Sequence, residues 1–378
     1  MLTYIVFYTL ICIFSNIYSK KVVLKTINGD KHFDFMFASF LIMATFLGLR
    51  NGIGLDDEMY SRTFQEIYSN GSPWRDIEVS YTWISKIVQL LGGTVQLVFL
   101  IYAIITCFFL YLSIKKLVKN ENRWIFWGIF LSLMFLTSIT LMRQFAAGSL
   151  LLYGYCCWRE NKRKITIVLL ILAGIFHTSA FLAIPYYFLS KYTNKINKNI
   201  KIIVLVLCYI MQYIPVTDVL VNIVGTIPGL SNFYYMKYYL LTPSRFFFDS
   251  LGVIETCYLL LFIYMMYISN KKNSSLKIEK SIINETEMES FSFLYFVIRM
   301  LFAQFGYLHR ISYYLEFFMI IYLSNCNKVF NKSSQRAFKI IGIVILFFLF
   351  IYAVYSYRMQ GSQYNPLIPY NMNVKLFE

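Results

Sequence analysis

Residues 49–60 read LRNGIGLDDEMY and follow the almost wholly apolar run FDFMFASFLIMATFLG. They bring Arg50, two glycines, three consecutive acids and Tyr60 into one short stretch. Asp56 is a carboxylate able to act as a general base, and Arg50 could orient it or bind phosphate. Gly52 and Gly54 permit a tight turn and a close backbone approach. Glu78, three residues before Tyr81, is a second carboxylate. Arg143 and Gln144 stand between SLMFLTSITLM and FAAGSLLLYGY. An ionisable group at membrane depth is costly, so it is a functional candidate by default, against the alternative of a snorkelling topology marker. His177 in AGIFHTSAF is either a proton carrier or a satisfied histidine at a broken helix, with Thr178 and Ser179 beside it. Arg310 in GYLHRISYYLEF has His309, Tyr313 and Glu316 for neighbours.

Other chemistries find little support. The acids at 56–58 are a weak cation motif, and the three histidines have no clustered carboxylates, so no metal is expected. The seven cysteines form no CxxC pair. The nucleotide fingerprints GxGxxG and GKS/T are missing, and no cofactor is expected. The fingerprint of several arginines, one histidine and a few acids suits an anionic substrate that arrives through a membrane. A lipid-linked diphosphate held by guanidinium groups fits that description.

The elements that must position these residues are membrane helices. The 378 residues are 58% hydrophobic and 14% charged, against about 25% charged in a soluble domain. Apolar spans are expected at about 2–19, 33–49, 93–114, 124–141, 144–158, 165–176, 178–189, 202–218, 251–269, 291–308, 311–323 and 338–356. The fold class is therefore all-α: a polytopic membrane protein of about 11–12 transmembrane helices, some short and broken. Segments 20–32, 115–123, 159–164, 191–201, 270–289 and 325–339 carry four Lys or Arg each, 24 of the 35 in all. The net charge of +16 thus reads as positive-inside topology, not nucleic-acid binding. Three stretches have basic residues at both ends and Arg143, His177 or Arg310 in the middle. If both ends are cytoplasmic, the chain turns near those residues and both termini lie outside. The outer face then holds residues 50–92, whose part 81–92 has Ile84, Ile87, Val88 and Leu91 at helical spacing and predicts an amphipathic helix lying along the membrane surface. It also holds residues 219–250, broken by Pro and Gly and containing Arg245. Residues 1–378 form one integral membrane domain on this reading, and residues 2–19 are a first span, not a cleaved signal.

The motifs Arg50…Gly54-Leu55-Asp56…Tyr60, Glu78-Val79-Ser80-Tyr81, Met142-Arg143-Gln144, Phe176-His177-Thr178-Ser179-Ala180, Arg310-Ile311-Ser312-Tyr313 and Pro369-Tyr370 follow in that order. In that order and spacing the chain is similar to the EpsG family of bacterial polysaccharide polymerases, grouped with Wzy-type O-antigen and capsule polymerases. The resemblance runs over nearly the whole chain. Val79-Ser80 departs from the glycine that the family often places before the tyrosine. The resemblance implies a GT-C-like, multi-pass glycosyltransferase of the bacterial plasma membrane. Its substrate would be an undecaprenyl-diphosphate-linked oligosaccharide met in membrane lipid, and a chain-length regulator protein would be a further partner. Glycan would pass from one undecaprenyl diphosphate to the non-reducing end of another repeat unit. Asp56, then Glu78, would be the base; Arg143 and Arg310, assisted by His177, would meet the leaving diphosphate. Arg50, Tyr60, Gln144, Arg245 and Tyr313 would contact substrate. The rivals are a flippase for lipid-linked sugar, an O-antigen ligase, a membrane O-acyltransferase and a purely structural membrane protein.

Overall fold

The computed structural model describes residues 1–17, 23–26, 29–32, 35–74, 77–214, 251–271, 285–304, 306–326, 332–360 and 370–377. Arg245, Pro369 and the whole of 219–250 lie outside them. The regular secondary structure of the described residues is helical apart from one short hairpin and two isolated bridges. They group into two compact units, residues 1–181 with 330–378, and residues 182–329.

The first unit contains α1 (Leu2–Ile17), a two-stranded antiparallel hairpin of β1 (Val23–Thr26) and β2 (Gly29–His32), and α2 (Phe35–Gly48). After the loop at 49–56 come α3 (Asp57–Asn70), α4 (Val79–Leu90) and α5 (Val95–Leu117). Then follow α6 (Arg123–Leu133), α7 (Phe135–Thr140), α8 (Met142–Arg159) and α9 (Arg163–Phe176). The expected span at 124–141 is two helices, because the chain bends at Met134 between α6 and α7. α5 is the axis: it packs against α2 on one side and α8 on another, and α8 packs against α9. It is apolar on every face, half of it buried by its neighbours, and Lys115 and Lys116 sit in its last turn, where cations suit the helix dipole. α3 and α4 pack on this scaffold through Tyr60, Ile67, Tyr81 and Val88, which meet Val98, Phe99, Tyr102 and Met142.

The second unit contains α10 (Ile184–Thr193), α11 (Lys198–Met211), α12 (Val253–Lys271), α13 (Glu285–Leu301) and α14 (Tyr313–Leu323), with α13 touching α10, α11 and α14. A 3-10 turn, Gly306–Ser312, leads into α14. α13 starts well before the expected span at 291 because Glu289 is buried against Lys201 at 2.8 Å and Lys198 at 3.4 Å. A matched charge can enter a helix bundle where a lone one cannot. α15 (Lys332–Gln360) belongs to the first unit and packs on α6.

Among the described residues, Val95–Leu117 and Lys339–Ser356 are long and apolar enough to cross a bilayer by themselves. Leu2–Ser15, Met36–Gly48 and Val253–Ser269 are shorter apolar helices.

Candidate functional site

The loop at 49–56 is built around one carboxylate. Asp57 Oδ1 accepts from Arg50 Nε at 3.2 Å and Nη2 at 3.0 Å. Its Oδ2 accepts the backbone N–H groups of Ile53 at 3.2 Å and Gly54 at 2.9 Å. Arg50 Nη1 donates to the Leu47 carbonyl at 2.6 Å, and its guanidinium lies 4.6 Å from the Phe99 ring centroid. Both charged residues are buried, and Arg50 is 1% exposed. Gly52 holds φ +62°, a left-handed backbone, while a Cβ on Gly54 would stand 2.5 Å from Asp57 Oδ1. The two glycines thus serve different needs, conformation and space. The expected pairing of Arg50 with Asp56 is corrected to Asp57. Asp56 is the N-cap residue and Asp57 opens the helix, and side chains at successive positions of a helical turn point in different directions, so that Asp57 is the one under the loop. Asp56 is half-buried and accepts the Tyr60 N–H on its carbonyl at 3.0 Å.

Residues 370–377 strap this loop from outside. Asn51 N–H donates to the Asn371 carbonyl at 3.0 Å and Asn373 N–H to the Leu49 carbonyl at 2.9 Å, on either side of Arg50. Further along, Thr94 N–H donates to the Leu376 carbonyl at 2.8 Å. The Tyr370 ring stacks on Phe46 at 3.9 Å, and its hydroxyl donates to the Phe46 carbonyl.

Three helix ends meet beside α3. Glu78 precedes the first residue of α4, Arg143 is in the first turn of α8, and His177 follows α9 in an extended conformation, φ −157° and ψ 116°. One oxygen of Glu78 pairs with Arg143 Nη1 and the other faces His177 Nδ1. Arg143 Nε donates to the Tyr60 hydroxyl at 3.0 Å, with the guanidinium 5.2 Å from that ring's centroid. Tyr60 is buried. Its carbonyl accepts the Tyr81 hydroxyl at 2.6 Å, and the two rings lie 5.3 Å apart. Burial pushes the Tyr60 phenol up from its ordinary range, so Arg143 meets a neutral acceptor. The side chains of Glu78, Arg143 and His177 are 10%, 17% and 25% exposed. A guanidinium, an imidazole and the N-terminal turn of α8 thus converge on a partly open site, which suits an anionic group. A carboxylate on His177 Nδ1 orients the ring and assigns proton exchange to Nε2.

The structure brings Glu78, Arg143, His177 and Tyr60 together. Gln144, expected at the substrate, is buried within α8, and Tyr60, expected there too, is buried and supports Arg143 from inside. In the second unit Arg310 is half-buried in the 3-10 turn, and Tyr313 meets the buried His309 edge-on at 5.8 Å. A cluster of largely buried charges lies there around Glu316. Arg299 donates Nε and Nη2 to the two oxygens of Glu255 at 2.9 and 3.1 Å, Tyr295 donates to Glu255 at 3.4 Å, and the buried Glu316 lies within their electrostatic reach. Its signal was present as lone charges inside apolar runs at 255, 299 and 316. Among the described residues no group of three or more His, Cys, Asp or Glu could hold a metal ion.

A family model described as the EpsG family matches residues 34–372. No curated protein and no solved structure matches the chain.

Proposed function

This chain belongs to the EpsG family, and on that premise we propose that it polymerises lipid-linked oligosaccharide repeat units. Glycan is transferred from undecaprenyl diphosphate to the non-reducing end of another lipid-linked repeat unit, by a multi-pass protein at the outer face of the bacterial plasma membrane. The observation that carries this reading is the part-exposed cluster of Glu78, Arg143 and His177 at three helix ends.

The geometry supports the following roles. An acceptor hydroxyl oxygen forms a bond to the anomeric carbon of the donor sugar. The bond from that carbon to the phosphate oxygen breaks, and the diphosphate leaves with the electron pair. Arg143 meets the charge that develops on it, with its fork aimed by Tyr60 and Glu78. The hydroxyl proton passes to His177, whose Nδ1 is held by Glu78. Glu78 is thus the positioning carboxylate between a cation and a base. Asp56 stays a rival base, half-buried at the start of α3. Arg310, with Tyr313, offers a further anion contact in the second unit.

The test is a surface-polysaccharide gel from a deletion strain carrying the parent gene, Glu78→Gln or His177→Asn. The expected result is a long-chain ladder from the parent and, from each variant, a single exported repeat unit at normal protein level. Complete loss of exported repeat would move the function to export or ligation. An unchanged ladder in the deletion strain itself would overturn polymerisation.

A further inference from the structure

α4 presents apolar side chains on two opposite faces. Tyr81, Ser85 and Val88 are buried, in contact with the core formed by α3, α5 and α8. The expected amphipathic face of Ile84, Ile87, Val88 and Leu91 is therefore split: Val88 is buried while Ile87 and Leu91 point away. The outward stripe is Trp83, 60% exposed, Ile87, 57%, and Leu90, 87%, continued by Leu91 at the helix end. Lys86 falls within this stripe and is the one charge of the helix. α3, the other arm of the same hairpin, differs. Its outward face carries Glu58, Arg62, Gln65 and Ser69, with Glu58 paired to Arg62. One arm is dressed for water and the other is not.

The next element says what covers α4. Only residues 91–94 separate it from α5, which is long and apolar enough to cross a bilayer. A membrane that contains α5 has its surface at the C-terminal end of α4. Indole rings prefer that boundary, and a lysine reaches from it to phosphate while its stem stays in the acyl region.

We infer that α4 lies in the headgroup–acyl boundary of the leaflet in which α5 begins, with the Trp83–Ile87–Leu90 stripe in phospholipid. A helix lying in that plane holds both its ends at one depth. Glu78, at its other end, is therefore kept with Arg143 and His177 at the level of the lipid phosphates. A diphosphate on a lipid carrier meets Arg143 by lateral diffusion, without leaving the membrane. That last step rests on the proposed polymerase reading; the placement of α4 does not.

The test places single spin-labelled cysteines at 83, 87 and 90 on α4 and at 62 and 65 on α3. The host is the full chain without its native cysteines, in vesicles of phosphatidylcholine and phosphatidylglycerol. The readout is collision with oxygen, which partitions into lipid, against a water-soluble nickel chelate. The α4 sites should show an oxygen-to-nickel ratio several-fold above the α3 sites. Equal ratios on both helices would put α4 in water and overturn the inference. Low collision with both reagents on α4 would mean that protein covers it, and would also overturn it. Because the readout is depth, a chain without polymerase activity tests it equally well. A second measurement keeps every cysteine: dibrominated acyl chains should quench tryptophan fluorescence, and Trp83→Phe should remove part of the quenched signal. An unchanged quenched fraction would count against lipid contact at Trp83.

Discussion

Two arginine–carboxylate pairs stand close together in the sequence of motifs and differ in almost everything else. Arg50–Asp57 is closed. Both oxygens of its carboxylate have partners inside one loop, and the pair is buried. Arg143–Glu78 is open. Its carboxylate is shared with His177, its guanidinium leans on a neutral phenol, and all three side chains keep some exposure. A closed pair has spent its hydrogen-bonding capacity on the fold. An open one retains some for a molecule that arrives. The same two residue types therefore make a staple in one place and a candidate site in the other.

Four substitutions would break or sharpen that contrast. Asp57→Ala should be the most damaging to the fold, since it leaves the buried Arg50 without its carboxylate. A loss of about 3–5 kcal/mol is expected, read as a large fall in thermal midpoint in detergent. A midpoint close to the parent's would mean the staple is no staple. Arg143→Lys keeps the charge but removes the fork and the Nε donor to Tyr60. Polymer synthesis should fall on the order of 100- to 1,000-fold with the midpoint unchanged. If stability collapsed with activity, the open cluster would be a second staple. The smallest effects separate the two glycines. Gly54→Ala drives a methyl against Asp57 and should cost about 1–3 kcal/mol. Gly52→Ala meets nothing within 4 Å and carries only the left-handed backbone penalty of about 1–2 kcal/mol. Denaturation midpoints of the two variants in parallel would show whether space or conformation weighs more.

Much of the helical layout was legible in the sequence because charge and hydropathy are local properties. Helices end near Arg143, His177 and Arg310, in the middle of the three stretches with basic residues at both ends. The partner of Arg50 was not legible. Asp56 and Asp57 are adjacent, and only the phase of α3 decides which of them turns under the loop. The meeting of Glu78 with His177 was hidden for another reason. They lie 99 residues apart, and composition does not say which helix ends coincide. Arg299 and Glu255 were legible singly, as lone charges in apolar runs, yet their pairing across 44 residues was not.

The strap at 370–377 has a consequence in time. Its contact between Tyr370 and Phe46 closes a separation of 324 residues. At about 5–20 residues per second, roughly 15–65 s of synthesis pass between the making of the loop and the making of what binds it. Through that interval the backbone groups of Leu49 and Asn51 wait for partners that do not yet exist. A premature stop between Gln360 and Tyr370 would release a chain with every described helix made and this loop still unfastened. Quality control that senses the loop would in effect be checking that residues 370–377 had been made.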